Sequence, residues 1–134
     1  MLGLEHIAIA AKDSAELAER FETLLGISIE HSEEVPSQKV KTDFLRIGSS
    51  SVELLEATAE DSPISKFLQK RGNGVHHLAV RVDSIKKALA HFKARGCQLV
   101  DEEPRPGAGG CLTAFVHPKS FGGLLIELVE KPKD

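Results

Sequence analysis

The sequence predicts an α+β fold in which one β-α-β-β-β unit is used twice. The first observation behind this is a repeat: His6-Ile7-Ala8-Ile9 returns as His77-Leu78-Ala79-Val80, and Val52-Glu53-Leu54 returns as Ile126-Glu127-Leu128. Between these points Asp13-Ser14 matches Asp83-Ser84, Gly26 matches Gly96 and Phe44 matches Phe115. The second observation is that period-two and helical apolar patterns follow one another in the same order in both halves. The third is length. A chain of 134 residues supports one compact domain, whereas a half of roughly 65 residues is marginal by surface-to-volume scaling, so the halves are expected to share a core. Repeated units of this kind join as curved mixed sheets into an incomplete barrel around a cleft, with helices outside. One domain over 1–134 is expected, with a first module over about 1–58, a linker helix over about 62–71 and a second module over about 74–131.

Leu4 to Ala11 is short, apolar and Ile-rich, as a buried strand requires, and His6 is its polar ring. Asp13-Ser14 followed by Glu16 reads as a capped helix start. Leu17, Ala18, Phe21, Leu24 and Leu25 recur at helical spacing, and Gly26 supplies a left-handed stop. Ile27 to His31 alternates like a strand, Glu33 to Gln38 reads as a polar loop, Val40 to Ile47 as a strand, and Ser51 to Glu56 as a strand centred on Glu53. Ser62-Pro63 opens the linker helix, whose apolar face is Ile64, Phe67 and Leu68. The second copy then runs through a strand over Val75–Val82, a helix from Asp83-Ser84 to Gly96, a short strand-like stretch over Gln98–Asp101 and a Gly/Pro loop over Pro104–Gly110. Strands over Cys111–His117 and Leu124–Glu130 complete it.

A net charge of -3 gives no broad basic face, so nucleic acid is not an expected partner. No apolar run approaches the roughly 20 residues of a membrane-spanning helix, and no charged-then-apolar leader precedes the first strand, so a cytoplasmic protein without membrane association is expected. Two cysteines, Cys97 and Cys111, form neither a disulfide framework nor a CxxC zinc pair.

The chemistry lies in the repeat. Glu53 and Glu127 sit among apolar strand residues with no basic partner in their own strands, and a carboxylate so placed is costly unless compensated. Taken singly, His6, His77, Glu53 and Glu127 read as satisfied structural residues; their return at matching points of both halves favours a shared purpose. One divalent cation accounts for all four, since two imidazoles and two carboxylates offset its charge and leave octahedral positions open.

The motifs Glu5-His6-Ile7-Ala8-Ile9-Ala10, Val52-Glu53-Leu54-Leu55-Glu56, Asp61-Ser62-Pro63-Ile64, Gly74-Val75-His76-His77-Leu78, Asp101-Glu102-Glu103-Pro104-Arg105, Gly107-Ala108-Gly109-Gly110 and His117-Pro118-Lys119-Ser120 through Ile126-Glu127-Leu128 cover nearly the whole chain. Together they resemble the methylmalonyl-CoA epimerases of the vicinal oxygen chelate superfamily. The resemblance implies that His6, Glu53, His77 and Glu127 are the metal ligands and His76 is not, and that the cofactor is a divalent cation: Co2+, Mn2+, Ni2+, Zn2+ or Mg2+. It implies interconversion of (R)- and (S)-methylmalonyl-CoA by 1,1-proton transfer through a metal-chelated enolate, with Glu127 as base and Glu53 as the weaker candidate for the second catalytic group. A small-molecule acyl-CoA substrate and a homodimer are implied too. Some family members have Gln where Glu53 stands, and some carry a Glu proposed as a base where this chain has Thr42.

Lys119 and Ser120 are candidates to hold the substrate carboxylate, although Pro-Lys-Ser reads equally as a turn. Lys39, Lys41 and Arg71 are weaker candidates for the phosphates of coenzyme A, and Gln38 a weaker substitute for Glu53. Gly107–Gly110 resembles a phosphate-cradling loop only loosely, because a strand follows it. Three other functions share the scaffold: a glyoxalase-type lyase or isomerase acting on a thiol adduct, a non-enzymatic small-molecule-binding protein of the resistance type, and an iron oxygenase. The second usually lines its cleft with aromatics, and this chain has no Trp or Tyr and only six Phe.

Overall fold

The computed structural model describes residues 1–133, which divide into two compact units: His6–His76, and Met1–Glu5 together with the chain from His77 onward. Along the chain lie β1 (Gly3–Ala10), α1 (Ser14–Leu25), β2 (His31–Val35), β3 (Val40–Ile47), β4 (Ser50–Ala57), α2 (Pro63–Arg71), β5 (Gly74–Arg81), α3 (Ile85–Ala94), β6 (Arg105–Pro106), β7 (Leu112–Val116) and β8 (Leu125–Glu130). The α+β class and the doubled β-α-β-β-β order are as predicted. Strand order is β2-β3-β4-β1 in the first unit and β5-β8-β7-β6 in the second. In each, the histidine-bearing strand runs parallel to the glutamate-bearing one, β1 with β4 and β5 with β8. The hairpins β3-β4 and β7-β8 are antiparallel. No helix among the described residues is long and apolar enough to cross a membrane.

Local chemistry sets the helix ends. Asp13 caps α1 by accepting from the Glu16 N–H at 3.1 Å, and Gly26 closes it at φ 70°. Ser84 caps α3 by accepting from the Lys87 N–H at 3.3 Å. Asp13 and Ser84 each follow their histidine by seven residues, so the structural match is Asp13 with Ser84, one residue away from the pairing that sequence likeness suggests. Ser62 caps α2 through the Ile64 N–H, with Pro63 in the first turn, and is fully buried. Ser62→Ala is expected to cost about 1 kcal/mol of stability, read as a lower urea midpoint.

A second device ties each helix to its sheet. Glu56 of β4 accepts from the Ser14 N–H at 3.0 Å, and Glu130 of β8 accepts from the Ile85 N–H at 2.8 Å. A carboxylate at a helix N-terminus satisfies an orphan donor and complements the helix dipole. Glu56 and Glu130 each stand three residues beyond Glu53 and Glu127, on the opposite face of the same strand.

Two strand boundaries differ from the sequence expectation. The strand expected over Ile27–His31 lies instead over His31–Val35, shifted so that it runs into the expected Glu33–Gln38 loop, and pairs with β3 from His31↔Phe44 to Val35↔Val40. This edge strand is almost wholly exposed, so it needs no apolar alternation, and pairing with β3 decides its register. Likewise Gln98–Asp101 forms only an isolated bridge, Leu99↔Val116, and the short strand β6 falls within the expected Pro104–Gly110 loop.

In the first unit Ala18 of α1 packs on Leu45, Val52 and Leu54 from one face, while Ile64 and Leu68 of α2 pack on Ala8, Ala10, Val40 and Leu55 from the other. In the second unit Ile85 and Leu89 of α3 pack on Ala114, Val116, Ile126 and Leu128. Glu5 is held by Arg81 and, at 3.2 Å, by the Lys131 ammonium. Burial raises the Glu5 carboxyl pKa, but the hydrogen bonds and charges of Arg81 and Lys131 outweigh it and leave it below the usual carboxylate value. A depressed carboxyl pKa contributes stability above the unfolded-state value, lost as pH falls through the folded-state value. Glu5→Gln is therefore expected to be less stable than the parent at pH 7 and to converge with it as the buffer is taken well below pH 4, read by urea unfolding across that range.

Candidate metal centre

Strand register places a histidine and a glutamate together in each unit by the same rule. In the first, Ala8 of β1 lies opposite Glu53 of β4, and His6 precedes Ala8 by two residues on the same face. In the second, Ala79 of β5 lies opposite Glu127 of β8, and His77 precedes Ala79 by two. Each glutamate has a phenylalanine on its other flank, Phe44 beside Glu53 and Phe115 beside Glu127. Ala8 and Ala79 are wholly buried, and their small side chains leave the diagonal between imidazole and carboxylate open.

His6 Nδ1 lies 2.9 Å from Glu53 Oε2, and His77 Nε2 lies 3.2 Å from Glu127 Oε1. Both histidines are buried at 8% exposure. Phe115 meets the His77 ring edge-on at a centroid distance of 5.4 Å and restricts its rotation. Metal bonds of about 2.1 Å at right angles hold neighbouring donors about 3.0 Å apart. Each pair matches that spacing, and nitrogen with carboxylate oxygen is a donor set suited to a borderline divalent cation. The residues present thus fit the cofactor the sequence suggests.

The remaining candidates are placed as follows. Ser120 Oγ donates to the Gln98 carbonyl at 3.0 Å, and the Lys119 N–H donates to His117 Nδ1 at 3.1 Å within a 3-10 turn over Pro118–Phe121. The backbone of this segment thus has the turn character its sequence allows. Lys39 is ion-paired with Asp61, Lys41 lies 3.7 Å from Asp43, and the Arg71 guanidinium stands 5.7 Å from the Phe67 ring centroid. All three cations have partners within the chain. Gln38 ends a 3-10 turn over Pro36–Gln38 beside β3. Gly107 precedes a turn over Ala108–Gly110, and a Cβ there would come within 2.7 Å of Thr113 Cγ2. That glycine is explained by close packing on β7. Thr42 is buried on the Glu53 face of β3, and Asp43 points to the opposite face. His76 lies edge-on to Phe67, 5.1 Å between ring centroids. Sequence reasoning assigned no role to Glu56, Glu130 or Phe115; the Glu-x-x-Glu spacing common to β4 and β8 was the available signal for the first two.

Residues 5–115 match the Glyoxalase/Bleomycin resistance protein/Dioxygenase superfamily. The human mitochondrial methylmalonyl-CoA epimerase is 36% identical over 126 residues, covering 93% of this chain and 72% of that protein. The ethylmalonyl-CoA/methylmalonyl-CoA epimerase of Cereibacter sphaeroides is 35% identical over 131 residues, covering 96% of this chain and 98% of that one. The chain belongs to the methylmalonyl-CoA epimerase family. The crystal structure of the Mycobacterium tuberculosis methylmalonyl-CoA epimerase superposes with a TM-score of 0.88 at 34% identity, covering 98% of this chain and 89% of that one. The epimerase fold therefore extends over essentially the whole sequence.

Proposed function

We propose that this protein is a divalent-metal-dependent epimerase of methylmalonyl-CoA, in which His6, Glu53, His77 and Glu127 together hold the cation and the two modules work as one domain. The observation that carries the reading is the identical register of the two His–Glu pairs, each at a spacing suited to adjacent metal ligands. Kinship with epimerases that act on methylmalonyl-CoA supports the substrate. When bound, a divalent cation supplies Lewis acidity toward oxygen, which makes a neighbouring carbon acid easier to deprotonate.

The chain's own residues do the rest. Glu127, as the carboxylate, takes the proton from the carbon between the substrate's carboxylate and thioester. Glu53, entering the turnover as the protonated acid, gives its proton to the opposite face; proton exchange with solvent then returns both groups to their starting forms. His6 and His77 keep the two carboxylates oriented, and the Lys119 ammonium binds the substrate carboxylate, joined by the Ser120 hydroxyl once it turns from the Gln98 carbonyl toward the substrate. The catalyst is a homodimer, with a particle mass of two chains expected in light scattering.

The test is exchange of the substrate α-proton in deuterated water with and without chelator, alongside elemental analysis of the purified protein. Metal-dependent exchange is expected. Undiminished exchange in chelator-stripped protein would overturn the reading. Turnover of a glutathione hemithioacetal in place of methylmalonyl-CoA would move the protein to the glyoxalase class.

A further inference from the structure

A phenylalanine flanks each glutamate, but the two rings stand differently. Alternation along β7 puts Ala114 and Val116 in the core under α3 and leaves Phe115, half-buried, on the face that carries Glu127. Phe115 is the direct ladder partner of Glu127, so their Cβ atoms lie about 4.5–5.5 Å apart. The strands β5 and β7 are separated by β8, and strands two apart in a sheet lie roughly 9.5 Å from one another. The His77 and Phe115 ring centroids are nevertheless only 5.4 Å apart. Both rings therefore lean over β8 and meet beside the Glu127 carboxylate, whose Oε1 lies 3.2 Å from His77 Nε2. Phe44 of the first unit stacks instead on His31 of the adjacent strand β2, with centroids 5.4 Å apart and ring planes at 26°. That separation is close to the spacing of neighbouring strands, about 4.8 Å, so these two rings stand side by side on their own strands.

We propose that Phe115 sets the length of the alkyl chain that a 2-alkylmalonyl thioester can carry at its reacting carbon. This rests on the epimerase reading of Glu127. Two of the four groups on that carbon, the carboxylate and the thioester, are polar and go to positive charge. The other two, hydrogen and alkyl, exchange faces when the carbon inverts. Once Glu127 has taken the proton and Glu53 has returned one to the opposite face, the alkyl group occupies the side of the carbon that the departing hydrogen had, next to Glu127. Proton transfer holds the carbon within about 3 Å of the carboxylate oxygen, so this group arrives against the Phe115 ring. Ala79, on the other flank of Glu127, offers only a methyl group. The Phe115 ring is braced by the His77 edge, and a longer chain meets a fixed wall in place of a side chain that yields. A methylene more than such a pocket holds is worth about 10- to 200-fold in kcat/KM.

The experiment is kcat/KM for epimerisation of methyl-, ethyl-, propyl- and butylmalonyl-CoA by the metal-loaded full chain and its Phe115→Ala, Phe115→Leu and Phe44→Leu variants, with folding followed by circular dichroism. In the parent, kcat/KM is expected to fall about 10- to 200-fold at the first chain that meets the ring. In Phe115→Ala the fall moves to a chain at least one carbon longer. Phe115→Leu, which keeps an apolar side chain should alanine not fold, moves it in the same direction. The same displacement is expected in the dissociation constants of the four thioesters for Glu127→Gln protein, read by calorimetry, where no turnover intervenes. An unmoved profile in the folded Phe115 variants overturns the proposal. So does a parent profile with no fall across the series, or an equal displacement in Phe44→Leu. A parent that epimerises none of the four thioesters fails the epimerase reading itself and takes this inference with it, a result distinct from turnover of methylmalonyl-CoA with a profile indifferent to Phe115.

Discussion

Glu127→Gln protein is expected to lose α-proton exchange of methylmalonyl-CoA by roughly 10²- to 10⁴-fold, the range over which a positioned general base acts. The amide keeps the size and burial of the carboxylate but cannot take up a proton at neutral pH, and it is a poorer donor to a divalent cation. The variant separates two roles if bound metal is measured beside exchange. Loss of exchange with metal retained assigns Glu127 to proton transfer, whereas loss of both assigns it to the metal shell. An exchange rate equal to that of the parent would remove Glu127 from the mechanism. The corresponding Glu53→Gln variant is expected to lose less, since Glu53 is the weaker candidate for proton transfer.

Leu128→Ala is expected to destabilise the protein by about 2–5 kcal/mol, a large share of the 5–15 kcal/mol typical of a whole domain. Leu128 is fully buried in the core under α3, and β8 presents it on the face opposite Glu127. Truncation removes its transfer free energy and leaves a cavity that Ile85, Leu89 and Val116, packed in the same cluster, fill only in part. Leu54 is the counterpart in the first unit, equally buried next to Glu53, and Leu54→Ala should fall in the same range. Urea unfolding with an unchanged slope and a lowered midpoint is the expected signature. A loss below 1 kcal/mol at both positions would mean that these strands are not the cores of their units.

Much of this was legible in the sequence because it rests on repetition and on local chemistry. His6 with His77 and Glu53 with Glu127 stood out as polar residues recurring in apolar strands. The start of α1 at Asp13, the Ser62-Pro63 start of α2 and the Gly26 stop are set by hydrogen bonds spanning only a few residues, so they could be read from neighbours alone. The edge strands were misplaced for the converse reason. His31–Val35 is polar and exposed, and only backbone pairing with β3 makes it a strand. Arg105–Pro106 is defined by two partners on β7 and has no apolar pattern to betray it.

The sequence by itself determined the doubled β-α-β-β-β plan, the helix caps and the identity of the four metal-binding candidates, because a repeated pattern and short-range hydrogen bonds do not depend on where distant segments fall. Only the tertiary structure decided that His6 meets Glu53 and His77 meets Glu127 at bonding distance, that Glu56 and Glu130 anchor the helices, and that the polar Ser14 and Asp43 are buried in the first unit. Those facts depend on ladder register, which follows from the packing of whole sheet faces and shifts every side chain to the wrong side if it slips by a single residue.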